Sequence, residues 1–277
     1  PADDYAVNSD FYIWTALFAV LLTFGMETAF FRFYNTENKK DALVSTSFIS
    51  MLITVIGFVI IIALFFDFFQ TFFDFKNNPL RLKLFVGILA IDTISMIPFA
   101  YLRVSNKPIR YAGIKLVNVG VILIINLIFL KFIPAFLEQG EILPTLIKDN
   151  YLEADKVNYI FIANIFGSAI SLFMLMPYLM KFKFDFDFHL LKKILAYSWP
   201  IMVAGLAYVI NENLDKFLIK RMIGDTEMGI YSACYKLAIF MNLYIMAFRL
   251  GAEPFFFNNA DKKNAKETYA KIMNYFV

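Results

Sequence analysis

The sequence predicts an all-α integral membrane protein, a polytopic bundle of transmembrane helices, and three observations carry that prediction. Hydrophobic residues make up 60% of the 277 residues and charged residues 18%, against about 45–50% and about 25% in soluble domains. The apolar residues are gathered in runs near or above the roughly 20 residues that cross about 30 Å of hydrocarbon. No run repeats the period-two pattern of a barrel, so each span must be a helix that satisfies its own backbone hydrogen bonds.

Seven runs are long and apolar enough to be transmembrane helices. In chain order they are Asp10–Arg32, Leu43–Phe66, Leu82–Arg103, Ile109–Ile133, Val157–Met180, Ile194–Lys216 and Met228–Phe257.

Basic residues fall mainly in alternate connections, which predicts the orientation of the spans. The connections after the first, third, fifth and seventh spans carry Arg32, Lys39 and Lys40; Arg103, Lys107 and Arg110; Lys181, Lys183, Lys192 and Lys193; and Lys262, Lys263 and Lys266. Positively charged loops stay in the cytoplasm, so Pro1–Ser9 and the acidic segment Ala135–Asp155 are expected outside. Lys220 and Arg221 depart from this parity. A start outside the cell, and the apolar approach at Lys271–Val277, suggest a fragment that lacks a preceding helix.

Several kinds of chemistry find no support in the sequence. The single Cys234 excludes an intramolecular disulfide, and the single His189 excludes a histidine cluster. No phosphate-binding glycine loop, Ser/His/Asp set or metal-ligand cluster is present, and the longest outer connection is too short for a catalytic domain. We therefore expect a protein that is not an enzyme, with no catalytic residue, no metal and no cofactor. The net charge of +3 gives no ground for a nucleic-acid partner.

One short pattern resembles a catalytic motif. Asp185-x-Asp187, within Lys181–His189, matches the metal-binding Asp-x-Asp of glycosyltransferases. The same nine residues alternate charge with four Phe side chains, which fits an extended or interfacial segment lying on the membrane. We favour the membrane interpretation over the catalytic one.

Polar side chains form seams along three of the predicted spans. At 100° per residue, one face of the seventh span collects Tyr231, Tyr235, Asn242, Arg249 and Glu253, with Lys236 about 100° away. The third span has Asp92, Ser95 and Arg103 on one face, and the fourth has Lys115, Asn118 and Asn126. An ionisable group within a span costs about 2.5–3.5 kcal/mol. These seams therefore predict a shared, water-accessible cavity between two lobes, with Lys236 at its edge.

Other interpretations remain open for several of these residues. Arg32, Arg103 and Arg249 lie near helix ends, where long side chains reach the headgroups at little cost. Asp92 and Lys236 are too deep for that. A last group follows the apolar run Ile194–Ile210 and fits either an ion-pair ladder at the outer interface or a transport pathway: Glu212, Asp215, Lys216 and Lys220.

The pattern Gly-x-Glu-x-x-Phe-Phe occurs twice, at Gly25–Phe31 and at Gly251–Phe257. Both copies end spans that are predicted to run in the same direction. Parallel repeats related by an axis along the membrane normal are typical of transporters. We expect Glu27 and Glu253 to be equivalent positions.

Four segments resemble bacterial polysaccharide and O-antigen flippases of the multidrug/oligosaccharidyl-lipid/polysaccharide (MATE-like) exporter superfamily: Phe24–Phe33, Asn211–Lys216, Tyr235–Ala238 and Phe248–Phe256. The resemblance implies a MATE-like fold of twelve to fourteen helices, of which this chain has seven. Residues 1–180 would be the N-terminal lobe without its first helix, 181–193 a cytoplasmic connector, and 194–277 the start of the C-terminal lobe.

The resemblance also implies a function. Such a protein flips an undecaprenyl-diphosphate-linked oligosaccharide from the cytoplasmic to the outer leaflet of the bacterial inner membrane, by alternating access. Partners would be the lipid-linked substrate, the bilayer, a sodium ion or proton for coupling, and polysaccharide assembly proteins.

In this mechanism cations offset the desolvation of the pyrophosphate. Lys115, Arg103, Arg249 and Arg32 would load it from the cytoplasmic side, Lys236 would hold it at midpassage, and Glu27 and Glu253 would pair with bases or close an inner gate. A drug or cation exporter of the same fold is the first alternative, and the excess of bases along the seams argues against it. A membrane glycosyltransferase or polymerase is the second, and the missing catalytic loop disfavours it.

Overall fold

The computed structural model describes residues 2–276 except 74, 76–77, 106, 139–155, 181–184, 239–240, 242–243 and 245–264. Within these residues the secondary structure is helical and contains no strand. Six helices are long and apolar enough to cross a membrane: Ala6–Thr23, Lys40–Leu64, Pro79–Val104, Pro108–Phe136, Lys156–Leu179 and Phe188–Met222. The predicted fold class, an all-α polytopic membrane protein, is confirmed.

The helices follow one another with short connections. They are α1 (Ala2–Thr23), α2 (Met26–Thr36), α3 (Lys40–Leu64), α4 (Phe66–Phe72), α5 (Pro79–Val104), α6 (Pro108–Leu127), α7 (Ile133–Glu138), α8 (Lys156–Leu179), α9 (Phe188–Met222) and α10 (Ala265–Phe276). Residues 225–238 are also helical. A π-helical segment, Ile128–Phe132, joins α6 to α7. It directly precedes Pro134, which has no N–H to continue the regular ladder of hydrogen bonds.

The chain divides into two compact units, residues 7–218 and residues 1–6 with 219–277. The larger unit contains every helix from α2 to α8, most of α1 and most of α9. The C-terminal unit contains the beginning of the predicted seventh span, as far as residue 238. Most of the remainder of that span lies outside the described residues.

The predicted first span, Asp10–Arg32, is divided in the structure. Phe24 and Gly25 both have positive φ, 51° and 66°, and an α-helix of L-residues does not continue through that region. The spanning part therefore ends at Thr23, and α2 is a separate helix with Glu27 in its first turn.

Helices α5 and α8 form the centre of the larger unit, with α3 and α2 against α5 and with α6 against α8. Two glycines permit the close approach. A Cβ on Gly87 would lie 2.7 Å from Ile165, and one on Gly167 would lie 2.6 Å from Ile122. Small residues at helix crossings are the usual device where apolar lipid gives helices no hydrophobic drive to associate.

An aromatic cluster fills one end of the same unit. Phe11 of α1 stacks on Phe161 of α8 with ring centroids 3.7 Å apart. Phe73, just after α4, lies 5.1 Å from both Trp14 and Phe85. The many Phe residues are thus a packing device here as well as a lipid-facing surface.

Helix α9 packs antiparallel along α1. Trp14 contacts Phe217 near one end. A Cβ on Gly205 would lie 3.0 Å from Val20, and the break at Gly25 meets Ser198 and Ile201 near the other end. The 35 residues of α9 are about 52 Å long at about 1.5 Å per residue, so it exceeds the predicted span Ile194–Lys216 at both ends.

The residues before α9 are anchored on the start of α3. The backbone N–H groups of Asp185 and Asp187 donate to the hydroxyls of Ser45 and Thr46, at 2.9 and 3.0 Å. The Asp187 carboxylate accepts from the backbone N–H of Leu190 at 3.1 Å, which makes Asp187 the N-cap of α9. The second carboxylate of the Asp-x-Asp pattern therefore has a structural use.

This cap predicts unequal effects for the two aspartates. Asp187→Ala should destabilise the protein by about 1 kcal/mol, a typical value for a lost N-cap. Asp185→Ala should change little, because the Asp185 side chain is exposed and only its backbone N–H is used. Thermal unfolding of the purified variants in lipid nanodiscs measures both. Equal destabilisation by the two variants would contradict the cap.

Candidate substrate cavity

A polar cavity of about 310 Å³ lies among α2, α5, α6 and α8, all within the larger unit. Its lining is Glu27, Asp92, Ser95, Met96, Phe99, Arg103, Tyr111, Lys115, Asn118, Ile122, Asn164 and Ser168. Most of these side chains carry an oxygen or nitrogen. Two other pockets, lined by α1 with α9 and by α9, are almost entirely apolar.

One end of the cavity, which we call the mouth, lies where α5 ends and α6 begins. There Arg103 of α5 forms an ion pair with Glu27 of α2, and both side chains remain more than a third exposed. The Arg103 guanidinium also lies 4.7 Å from the ring centroid of Phe31 and 5.1 Å from that of Tyr111. Arginine is suited to such a place because its planar fork can stack on rings while it donates hydrogen bonds.

The mouth and the inner part are separated along the helices. On α5, Asp92 is eleven residues before Arg103, and on α6, Asn118 is seven residues after Tyr111. At about 1.5 Å per residue these separations are roughly 16 and 10 Å. Tyr178, near the end of α8, accepts a hydrogen bond from Arg110 at 2.6 Å, which places the end of α8 beside the start of α6.

Asp92 and Lys115 are the charged residues of the inner part. Asp92 is hydrogen-bonded to Ser168 and interacts electrostatically with Lys115. The Lys115 ammonium lies 4.3 Å from the ring centroid of Phe99. Both side chains are accessible from the cavity, which provides the polar surroundings that a charge within a span requires.

Two amides complete the inner part. Asn118 donates to the Ser171 hydroxyl at 3.0 Å, and Ser171 donates to the Gly167 carbonyl at 3.0 Å. Asn164 donates to the Ile160 carbonyl at 2.8 Å and lies 3.0 Å from the Tyr12 hydroxyl. These bonds fix the orientation of both amides.

The structure thus brings five of the predicted site residues into one cavity: Glu27, Asp92, Arg103, Lys115 and Asn118. The cavity is formed by helices of one unit, all within the predicted N-terminal lobe, whereas the sequence led us to expect a cavity between lobes. Among the described residues Asn126 lies outside this lining, and its buried Oδ1 has no hydrogen-bond partner there.

Residues 145–257 match the family of polysaccharide biosynthesis proteins. The match covers about two-fifths of the chain, including α8, α9 and the beginning of the predicted seventh span. It includes Asn164 and Ser168 of the cavity but not Arg103 or Lys115. No curated protein and no solved structure matches the chain.

Other predicted site residues lie elsewhere in the larger unit. Arg32 lies over the ring of Tyr197 on α9, 4.2 Å from its centroid. Glu212, Asp215 and Lys216 are on the last turns of α9, where the Lys216 ammonium is 3.4 Å from Asn213 Oδ1. None of these four residues is part of the cavity lining among the described residues.

The predicted seam of the seventh span is described only in part. Tyr231 and Tyr235 have ring centroids 6.2 Å apart, and Lys236 is exposed. Lys220 forms an ion pair with Asp225 at 3.8 Å. Asn242, Arg249 and Glu253 lie outside the described residues, and with them the second copy of the Gly-x-Glu-x-x-Phe-Phe repeat, whose equivalence to the first stays a prediction.

Sequence analysis missed the contribution of α8. Asn164, Ser168 and Ser171 are spaced by four and three residues, which places them on one helix face. That spacing was readable, but the three side chains are uncharged and so drew less attention than the ionisable groups. Together they form the wall that faces Asp92 and Asn118.

Proposed function

We propose that this protein is a membrane transporter that moves a lipid-linked oligosaccharide across the bilayer during polysaccharide biosynthesis. The observation that carries the proposal is a polar cavity with two fixed cations inside a bundle of spanning helices. A soluble enzyme has no use for apolar surface of this extent, and a purely structural helix bundle has no use for a charged cavity.

The cations suit an anionic headgroup. A pyrophosphate that enters hydrocarbon must lose hydration, and charge-assisted hydrogen bonds from Arg and Lys can replace it. Lys115 offers its donors from a position over the Phe99 ring, and Arg103 offers its free N–H groups at the mouth. The polyisoprenoid tail would remain in the surrounding lipid.

The family match supports this assignment, since polysaccharide biosynthesis requires that lipid-linked glycans assembled on one side of a membrane reach the other. On the resemblance, the substrate is undecaprenyl-diphosphate-linked and moves outward across the bacterial inner membrane by alternating access. A sodium ion or proton as coupling ion, contacts with assembly proteins, and the absence of enzymatic activity belong to the same proposal.

Two features speak against the alternatives. The cavity holds two acids and two bases, whereas a cation exporter would favour an excess of acid. The catalytic use of Asp185-x-Asp187 conflicts with the role of Asp187 as the cap of α9.

Removal of the charge of Lys115 tests the proposal. In the intact protein, Lys115→Met should lower export roughly tenfold or more, because a hydrogen bond to a charged group is worth about 1.5–3 kcal/mol. Lys115→Arg should keep part of the activity. The measurement is surface glycan in a strain that lacks its own flippase, with the amount of inserted protein determined in parallel.

Lys83→Met is the matched control. Lys83 is an exposed lysine at the other end of α5, away from the cavity, so its loss should leave export unchanged. Normal export by Lys115→Met, at a normal protein level, would show that the cavity does not bind an anionic substrate through this residue.

A further inference from the structure

The inner part of the cavity has an unequal hydrogen-bonding capacity. Its donors are largely committed to the protein, and its acceptors are not. We define the acceptor wall as the oxygen-bearing side chains of Asp92, Ser95, Asn118 and Asn164, which come from α5, α6 and α8.

The orientation of each amide follows from its partners. The Ser171 hydroxyl gives its hydrogen to the Gly167 carbonyl, so it can only accept from Asn118, and the Asn118 Nδ2 group must point at it. For Asn164, the Ile160 carbonyl can only accept, which again fixes Nδ2 as the partner. Neither Oδ1 accepts a hydrogen bond from any residue that the structure describes.

The hydroxyls are committed in the same direction. Ser95 gives its hydrogen to the Ile91 carbonyl at 2.7 Å, which leaves only lone pairs for a ligand. Ser168 is hydrogen-bonded to Asp92, and a carboxylate only accepts. Asp92 retains further lone pairs, since a carboxylate has about four acceptor sites.

An acceptor wall requires a ligand that donates. Two chemical classes qualify, a metal cation held by oxygens and a group with several hydroxyls. The Lys115 ammonium lies next to Asp92 and disfavours a second cation there. A cavity of about 310 Å³ is also some ten times the roughly 30 Å³ of one water molecule, which suits a small organic group better than a bare ion.

We propose that the acceptor wall binds the hydroxyl groups of a sugar ring of the transported glycan. The proposal rests on the proposed function and divides the substrate between two ends of the cavity. Arg103 and Lys115 take the phosphate, and the acceptor wall, with the Phe99 ring beside it, takes a neutral sugar. Amide and carboxylate acceptors read hydroxyls directionally, so this wall also gives the site selectivity for the glycan.

Protection of an engineered cysteine tests the proposal in the intact protein reconstituted in nanodiscs. Met96→Cys places a thiol in the cavity lining in a Cys234→Ala background, and its rate of labelling by N-ethylmaleimide is measured. The probes are potassium pyrophosphate, neutral methyl glycosides of hexoses and N-acetylhexosamines, and sodium chloride against choline chloride. A glycoside at ten times its Kd should slow labelling about tenfold.

Three variants make the result specific. Asn118→Leu and Asn164→Leu each remove one acceptor and should weaken glycoside protection about fivefold, with pyrophosphate protection retained. Asn126→Leu makes the same change on α6 outside the cavity and should have no effect. Asn118→Asp keeps an acceptor and should retain glycoside protection, which guards against a Leu variant that fails to fold.

The outcomes separate the two proposals. Protection by pyrophosphate but by no glycoside would overturn the sugar site and leave the anion-binding function standing. Protection by sodium in place of glycosides would show a cation site instead. Protection by no probe would overturn both, and glycoside protection that is unchanged in Asn118→Leu and Asn164→Leu would overturn the acceptor wall.

Discussion

Gly25→Ala should remove most of the folded protein from the membrane. Gly25 has a φ of 66°, and a Cβ there would lie 2.9 Å from the Ser198 carbonyl oxygen and 3.0 Å from the Ile201 Cβ. A left-handed L-residue costs about 1–2 kcal/mol, and overpacking costs about 1–3 kcal/mol. The sum of about 2–5 kcal/mol is a large part of a typical stability of about 5–15 kcal/mol.

Other glycines of the chain supply graded controls. Gly120 has nothing within 4 Å of an added Cβ, so Gly120→Ala in the middle of α6 should be neutral or stabilising by up to about 1 kcal/mol. Gly205→Ala should be intermediate, because its nearest neighbour is a methyl of Val20 at 3.0 Å and its φ is not positive. Thermal unfolding and the amount of monodisperse protein extracted in detergent rank the three. A wild-type melting temperature for Gly25→Ala would contradict the close approach of the α1–α2 break to α9.

The break has a functional consequence because it sets the position of α2. Phe24 adopts a φ of 51°, a conformation that a bulky residue holds only when its surroundings impose it. The surroundings here are α9 and the aromatic packing of α1. Helix α2, which carries Glu27 to the mouth, is therefore placed by tertiary contacts rather than by a continuous helix.

The sequence predicted the spanning helices well and this break not at all. Long apolar runs leave a chain in lipid little choice but helix, so the described spans follow the predicted ones closely from α3 to α8. A single Gly inside an apolar run is compatible with an uninterrupted helix. Only the contact with Ser198, some 170 residues further along the chain, makes a left-handed conformation necessary.

The cavity was predictable residue by residue but not as a place. Helical periodicity put Asp92 with Arg103 on one face of α5, and Lys115 with Asn118 on one face of α6. Which faces meet depends on the glycine contacts between α8 and its neighbours, and no local pattern contains that information. The structure sets these residues against α8, while the sequence analysis placed their partners on the seventh span.

A charge swap at the mouth should separate stability from transport. Arg103→Glu sets two carboxylates against each other and should lower both the amount of folded protein and export, the latter at least tenfold. The double variant Glu27→Arg with Arg103→Glu restores opposite charges and should recover thermal stability. The recovered coupling should be about 1 kcal/mol or less, because both side chains are more than a third exposed.

Export should nevertheless stay low in the double variant. The guanidinium would then project from α2, where it cannot lie between the rings of Phe31 and Tyr111 as Arg103 does. A carboxylate would take its place on α5 and repel the phosphate. Purified protein gives the stability by a double-mutant cycle, and surface glycan per inserted molecule gives the export. If the swap restores both quantities, the pair only holds α2 to α5, and substrate binding at the mouth must depend on Lys115 rather than on the placement of Arg103.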